Sequence, residues 1–101
     1  MSKIHTKNGS PIVCRDLNVV WHPCTQMKDH EKIPLIPIKK GKGVWLVDYD
    51  DNKYIDAISS WWVNLFGHSN TYIKNKINKQ LNNLEHVLLA GFTHMPAITL
   101  A

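Results

Sequence analysis

Only one of the twelve basic side chains is an arginine, Arg15, and the chain has just two cysteines, Cys14 and Cys24. Phosphate forks and base-edge readout draw on arginine's planar fork, so its scarcity argues against a dedicated nucleic-acid surface. The lysines are scattered, densest at Lys39, Lys40 and Lys42, and the formal charge of +4 reads as a solvated basic surface. With no CxxC spacing, the cysteines specify neither a disulfide framework nor a zinc site, and both thiols are expected to be reduced in a cytoplasmic protein. The histidines show no HExxH spacing, which speaks against a metal centre. GxGxxG, Walker A and GxSxG are absent as well. Gly41-Lys42-Gly43 is too short for a phosphate loop and precedes a strand. Residues 1 to 10 lack the apolar core of a signal peptide, and no apolar run is long enough to span a membrane.

What remains has ordinary globular composition. Of the 101 residues, 44% are hydrophobic and 20% charged, with no low-complexity segment. That length suits one small domain or part of a larger one, and a domain of this size buries roughly 65% of its unfolded surface.

Along the chain, residues 1 to 10 are polar and expected to be loose. The apolar residues of Pro11 to Val20 fit a short helix only poorly. Pro23 steers His22 away from helix. Pro34 and Pro37 inside Glu31 to Lys39 predict extended chain at an edge. Gly41 and Gly43 mark a boundary. Beyond it Trp45, Val47 and Tyr49 alternate, Asp50-Asp51-Asn52 supplies turn residues, and Tyr54 to Ile58 returns. Val44 to Ile58 is therefore predicted as a hairpin. From a cap at Asn70, Ile73, Ile77, Leu81, Leu84 and Leu88 share one helical face, a pattern of core packing. Thr93 or His94 can open a last helix with Pro96 in its first turn. It has a start signal and no stop signal, as a fragment would. The piece reads as α+β: an extended N-terminal segment, an antiparallel hairpin, an amphipathic helix and the start of another.

Three segments are candidates for function. In Ser59-Ser60-Trp61-Trp62-Val63-Asn64-Leu65-Phe66-Gly67-His68, adjacent residues of an extended chain point to opposite sides, so both indoles reach one pocket only if the chain bends. Either both rings are core, or one packs inward while the other walls a cavity suited to an aliphatic ligand. His22 in Trp21-His22-Pro23 is either a site residue or a turn residue. Gly91-Phe92-Thr93-His94 joins a glycine, which permits close approach of a ligand, to a histidine. The carboxylates Asp48, Asp50, Asp51 and Asp56 mostly look like hairpin-turn residues.

In order, Trp21-His22-Pro23, Asp48-x-Asp50-x-x-x-Tyr54-x-Asp56, Ser59-Ser60-Trp61-Trp62, Gly67-His68 and Gly91-Phe92-Thr93-His94-x-Pro96-Ala97 resemble the N-terminal part of the class III aminotransferases. The resemblance runs from about Val20 to Ala101. Its Trp-His-Pro and Ser-Ser-Trp-Trp pieces are similar to the biotin-pathway branch in particular. It implies the opening of an α/β fold, the fold type I of pyridoxal-phosphate-dependent transferases. Residues 1–19 would be an N-terminal arm, residues 20–101 the first part of the aminotransferase domain, and the large cofactor domain would be missing. The implied reaction moves an amino group from S-adenosylmethionine to 8-amino-7-oxononanoate, giving 7,8-diaminononanoate. Pyridoxal phosphate would serve as electron sink, with a lysine as Schiff base, in a homodimer. By the same resemblance Trp61 contacts the oxononanoate and Trp62 neighbours it. Cys24 stands where the family has a tyrosine that stacks on the donor's adenine, and a thiol has no π-face. Asn52 and Ala57 replace glycines common in the family. None of the lysines matches the Schiff-base lysine, so no catalytic, cofactor-binding or metal-binding residue is assigned.

Two alternatives accompany this reading: a class III aminotransferase acting on an ω-amino acid, and a free-standing, non-catalytic interaction module whose indoles bind a partner. A thermal melt of the isolated chain separates module from fragment. A broad transition or aggregation is the expected result, because sheet edges and the apolar helix face would lack partners. One sharp cooperative transition would favour the module.

Overall fold

A computed structural model of the chain describes residues 10–101. The expected loose start over residues 1 to 10 lies, apart from Ser10, outside them. The described residues divide into two compact units that meet between His68 and Ser69.

The first unit opens with a helix, α1 (Pro11–Leu17), where the apolar pattern had promised only a poor one. The expected extended N-terminal segment is thus corrected over these residues. Local chemistry explains the helix: Ser10 caps it by accepting from the Val13 amide, and proline occupies its first turn, where no amide partner is needed. Its inner face is short but well covered, with Val13 3% and Leu17 5% exposed. After a 3₁₀ turn (Met27–Glu31) the chain runs through its prolines into β1 (Ile38–Lys42). The predicted edge extension is therefore a strand only from Ile38 onward, and Gly41 lies inside the strand rather than at its boundary.

The predicted hairpin is present as β2 (Trp45–Asp48) and β3 (Lys53–Ile55), and β1 extends it to a three-stranded antiparallel sheet in the order β1-β2-β3. Register runs through Lys42 opposite Trp45 and Leu46 opposite Tyr54, with a bulge between Ile38 and Lys40. Gly43, at φ 57°, turns β1 into β2. In the β2–β3 turn the left-handed residue is Asp51 (φ 62°), not Asn52 at the family's glycine position. Asn52 instead lends its side-chain amide to Asp48.

The second unit holds α3 (Thr71–Leu81) and α4 (Met95–Leu100); the short element α2 (Ser59–Trp62) belongs to the first unit. Asn70 caps α3 as expected, accepting from the Ile73 amide at 3.1 Å. The helix stops at Leu81, however, where Asn82 and Asn83 bond back to Asn78 and Gln80 and the Gln80 side chain donates to the Leu84 carbonyl. Leu84 and Leu88 therefore lie beyond it. The stripe read as core packing is not buried within the chain: Ile73, Ile77 and Leu81 are 39%, 53% and 52% exposed.

Among the described residues the buried apolar side chains are Val13, Leu17 and Val47, and α1 depends on two of them. Leu17→Ala is expected to cost about 2–5 kcal/mol locally. Hydrogen exchange at the Val19 and Val20 amides, which close the helix onto Asp16, should then accelerate roughly thirtyfold or more. Leu100→Ala, at a position 90% exposed, should leave stability within about 0.5 kcal/mol.

Candidate functional site

The indole segment does not continue the strand. From Ser59 to Trp62 four consecutive non-glycine residues have positive φ (50°, 47°, 67° and 67°), which makes α2 a turn of left-handed helix. Each such residue costs about 1–2 kcal/mol relative to the right-handed form. The chain bends here, as both indoles would need in order to reach one pocket, and neither of the two expected arrangements, both rings core or one packed inward, is realised. Trp61 is 58% and Trp62 79% exposed, so neither ring is core.

What holds the turn is the Asp56 carboxylate. Oδ1 accepts from the Ser60 amide at 2.9 Å, and Oδ2 accepts from the Ser60 hydroxyl at 2.7 Å. Oδ2 also meets His68 Nε2 at 2.7 Å. The Asp56 side chain is 6% and the His68 side chain 16% exposed, so the pair is largely withdrawn from water. His68 is seated by glycines. A Cβ on Gly41 would lie 2.8 Å from His68 Cβ, and one on Gly67 would lie 3.0 Å from the Gly43 backbone. Two backbone hydrogen bonds join Gly43 and His68, and Asp56, Ser59, Asn64, Leu65 and Gly67 help to line a small hollow of about 80 Å³ beside them. In sequence Asp56 falls on the returning strand and, with Gly67-His68, in the family motif, with no site role assigned to either.

Asp48 plays a comparable role at the hairpin tip. Its carboxylate, 4% exposed, accepts from the Asp50 and Asn52 amides, the Asn52 side chain and the Tyr54 hydroxyl, each at 2.9 Å. The Asn52 side chain, outweighing burial, holds the Asp48 pKa below the usual carboxylate range, with Tyr54 adding to the effect. Bonding to that carboxylate raises the Tyr54 pKa.

Cys24 lies elsewhere. It is exposed at φ 58° and, with Trp21, His22, Gln26, Asp29 and His30, helps to line an open hollow of about 630 Å³. His22 Nε2 lies 2.5 Å from Asp16 Oδ2 on α1, and His30 Nε2 lies 3.0 Å from the Thr25 hydroxyl. The two imidazoles meet edge to face at 5.4 Å. His22 thus ties α1 to the loop that carries Cys24. Neither Trp61 nor Trp62 lines this hollow. In the second unit His94 caps α4, accepting from the Ala97 amide, which gives that histidine a structural use.

This architecture is that of a class III aminotransferase segment. The profile of the family described as "Aminotransferase class-III" matches residues 25–101, and the chain belongs to that family. Among curated relatives, the adenosylmethionine-8-amino-7-oxononanoate aminotransferase of Helicobacter pylori is 58% identical over 86 residues, covering 85% of this chain and 20% of that protein. The crystal structure of the enzyme of the same name from Methanocaldococcus jannaschii superimposes with a TM-score of 0.83 at 40% identity, over 88% of this chain and 20% of that one. An omega transaminase from Pseudomonas jessenii in complex with PMP follows with a TM-score of 0.82 at 28% identity, over 91% and 20%. The chain spans about a fifth of the length of the curated relatives it matches.

Pyridoxal phosphate is the cofactor of this family, and the residues present do not make its seat. Activating a Schiff-base lysine takes desolvation or a neighbouring cation, whereas every described lysine is exposed. Lys39 pairs with Asp51 at 3.4 Å, and Lys76 lies 5.3 Å from the centre of the Tyr72 ring. Among the described residues no cluster of histidine, cysteine and carboxylate side chains could hold a metal ion, and no helix is long and apolar enough to cross a membrane.

The Ser60 side chain and amide, and then His68, lower the Asp56 pKa to about 2. Because the folded value lies below the unfolded one, near 3.8, this stabilisation is complete above about pH 4 and is lost as pH falls through about 2. Near-UV circular dichroism of the tryptophans should report the release of the turn in that acid window. Asp56→Asn should show the released signal already at pH 7 and no step in that acid window.

Proposed function

We propose that this chain is the N-terminal part of a cytoplasmic, homodimeric aminotransferase of biotin biosynthesis. The enzyme would move an amino group from S-adenosylmethionine to 8-amino-7-oxononanoate, with pyridoxal phosphate supplying the carbonyl chemistry. Residues 1–19 would act as its N-terminal arm and residues 20–101 as the start of the aminotransferase domain. Within it Trp61 and Trp62 form the apolar wall against the acyl chain of the acceptor, and Cys24 borders the donor. The observation that carries this reading is the exposure of two adjacent indoles on a turn built to hold them there, in a chain whose curated relatives bear the name of that enzyme. Such rings are normally buried, and covering an aliphatic chain returns roughly 25 cal/mol per Å² of apolar surface removed from water. The likeness to an omega transaminase supports a second reading, an enzyme acting on ω-amino substrates.

Kinetics of the complete enzyme carrying this segment separate the two. Trp61→Ala should raise KM for 8-amino-7-oxononanoate roughly tenfold to a hundredfold, about 1.4–2.8 kcal/mol of lost contact. Simple ω-amino acids should be poor substrates of the parent; efficient turnover of them, with little of the oxononanoate, would select the second reading. Cys24→Tyr should lower KM for S-adenosylmethionine severalfold by adding a ring that stacks on adenine, about 0.5–1.5 kcal/mol. The 101-residue chain alone should show neither transamination nor a single reducible lysine–pyridoxal adduct.

A further inference from the structure

The indoles contribute to a substrate wall only if their directions are fixed, and the turn that carries them is strained. We infer that Asp56 is a positioning residue for substrate. Bonded to Ser60 and backed by His68, its carboxylate locks the left-handed turn that sets Trp61 and Trp62, and so determines how the acceptor's acyl chain is received. This inference rests on the reading of the two indoles as the acceptor's wall.

The argument begins with geometry. A left-handed turn of four side-chain-bearing residues is not self-sustaining, since each residue opposes it sterically. Its backbone bonds run from the Ser59 amide to the Asp56 carbonyl, from the Trp62 amide to the Ile58 carbonyl, and from the Val63 and Asn64 amides to the Ser59 carbonyl, with none of these donated by Ser60 or Trp61. The fixed point outside the turn is Asp56, which takes both hydrogen-bonding groups of Ser60, the residue just before Trp61. Ser60 thus has its backbone and its side chain tied to one carboxylate. That carboxylate is kept from swinging away by His68, and His68 is held against Gly41 and Gly43 on the sheet edge. The chain of restraint runs from sheet backbone to imidazole to carboxylate to serine to indole. Each link is a hydrogen bond or a contact too close for a side chain at the glycine, except the last, which is the peptide bond from Ser60 to Trp61. The ionisable groups of this cluster are Asp56 and His68 themselves; Ser60, Gly43, Gly41 and Gly67 around them carry no charge.

Asp56 touches none of the reacting atoms in this scheme, so its effect should fall on acceptor binding. The test measures two independent quantities. In the complete enzyme carrying this segment, the exciton signal of the neighbouring indoles, defined as the circular dichroism lost in Trp61→Phe, reports the turn. In the complete enzyme, KM and kcat for 8-amino-7-oxononanoate report its use. Asp56→Asn should abolish at least half of the exciton signal and raise KM for the acceptor about tenfold, with kcat changed less than about threefold. Ser60→Ala, which removes a single hydrogen bond and should leave folding intact, is expected to act in the same direction with a smaller effect. Asp56→Asn combined with Ser60→Gly should recover part of both losses, because glycine adopts φ near 47° without steric penalty. A merely structural aspartate would show no such rescue and would move kcat and KM together. An unchanged exciton signal in Asp56→Asn and in Ser60→Ala would overturn the positioning role and leave the indole-wall reading intact. A lost exciton signal with unchanged KM would confirm the lock but overturn its connection to substrate, and with it the assignment of the indoles.

Discussion

The Asp56 carboxylate is the constraint on which the candidate site depends. A carboxylate 6% exposed needs partners, and it has them in the Ser60 amide, the Ser60 hydroxyl and the His68 ring. Those partners in turn need the carboxylate, because the Ser59–Trp62 backbone lies in a region that side chains disfavour. The arrangement is mutual. Removing any member leaves either a poorly satisfied carboxylate or an unsupported turn. It also explains why a histidine sits at 68 and a glycine at 41: the ring reaches Asp56 while lying against β1, where a methyl group at Gly41 would collide with it, whereas Gly43 and Gly67 serve positive φ of 57° and 77°.

The same device appears at the other end of β3. Asp48 accepts four hydrogen bonds within the β2–β3 turn, and the strand between the two aspartate-centred turns has only three residues. A three-stranded sheet whose buried apolar contribution is Val47 gains little from hydrophobic burial. Its shape is set by polar pins instead. Charge-assisted hydrogen bonds are directional where apolar contacts are not, which suits a segment whose task is to aim side chains.

Sequence was most informative where local chemistry determines the outcome. The hairpin followed from alternation and a turn cluster, the start of α3 from Asn70, and the start of α4 from His94 before Pro96. It failed where a neighbour outweighs local preference. α1 exists because Ser10 and Pro11 open it and because Val13 and Leu17 are buried by the rest of the chain, neither of which shows in its own periodicity. α3 stops at Leu81, where the Asn83 and Leu84 amides both turn back onto the Gln80 carbonyl and the Gln80 side chain donates to the Leu84 carbonyl, although the leucines continue in register. At the site, Trp61 and Trp62 were visible as residues, but their placement was not. A left-handed turn of Ser-Ser-Trp-Trp contradicts every propensity and becomes intelligible only with Asp56 and His68 in view.

The division of labour within the family follows from what these residues can and cannot do. Activating a lysine for Schiff-base chemistry takes desolvation or a neighbouring cation, and the described lysines are all exposed. What the segment has in excess is apolar surface held in fixed directions: two indoles on a locked turn, and Trp21 beside the hollow that Cys24 borders. Surface of that kind contributes binding energy and excludes water from a reacting centre, and both become effective only when the surface is rigid, because a mobile ring loses on ordering what it gains on contact. Strain in the Ser59–Trp62 turn is tolerable where rigid orientation of the rings is what the segment contributes. The cost is borne by the fold through Asp56, and the return is an orientation of the aromatic rings that an ordinary strand or right-handed helix at this position would not produce.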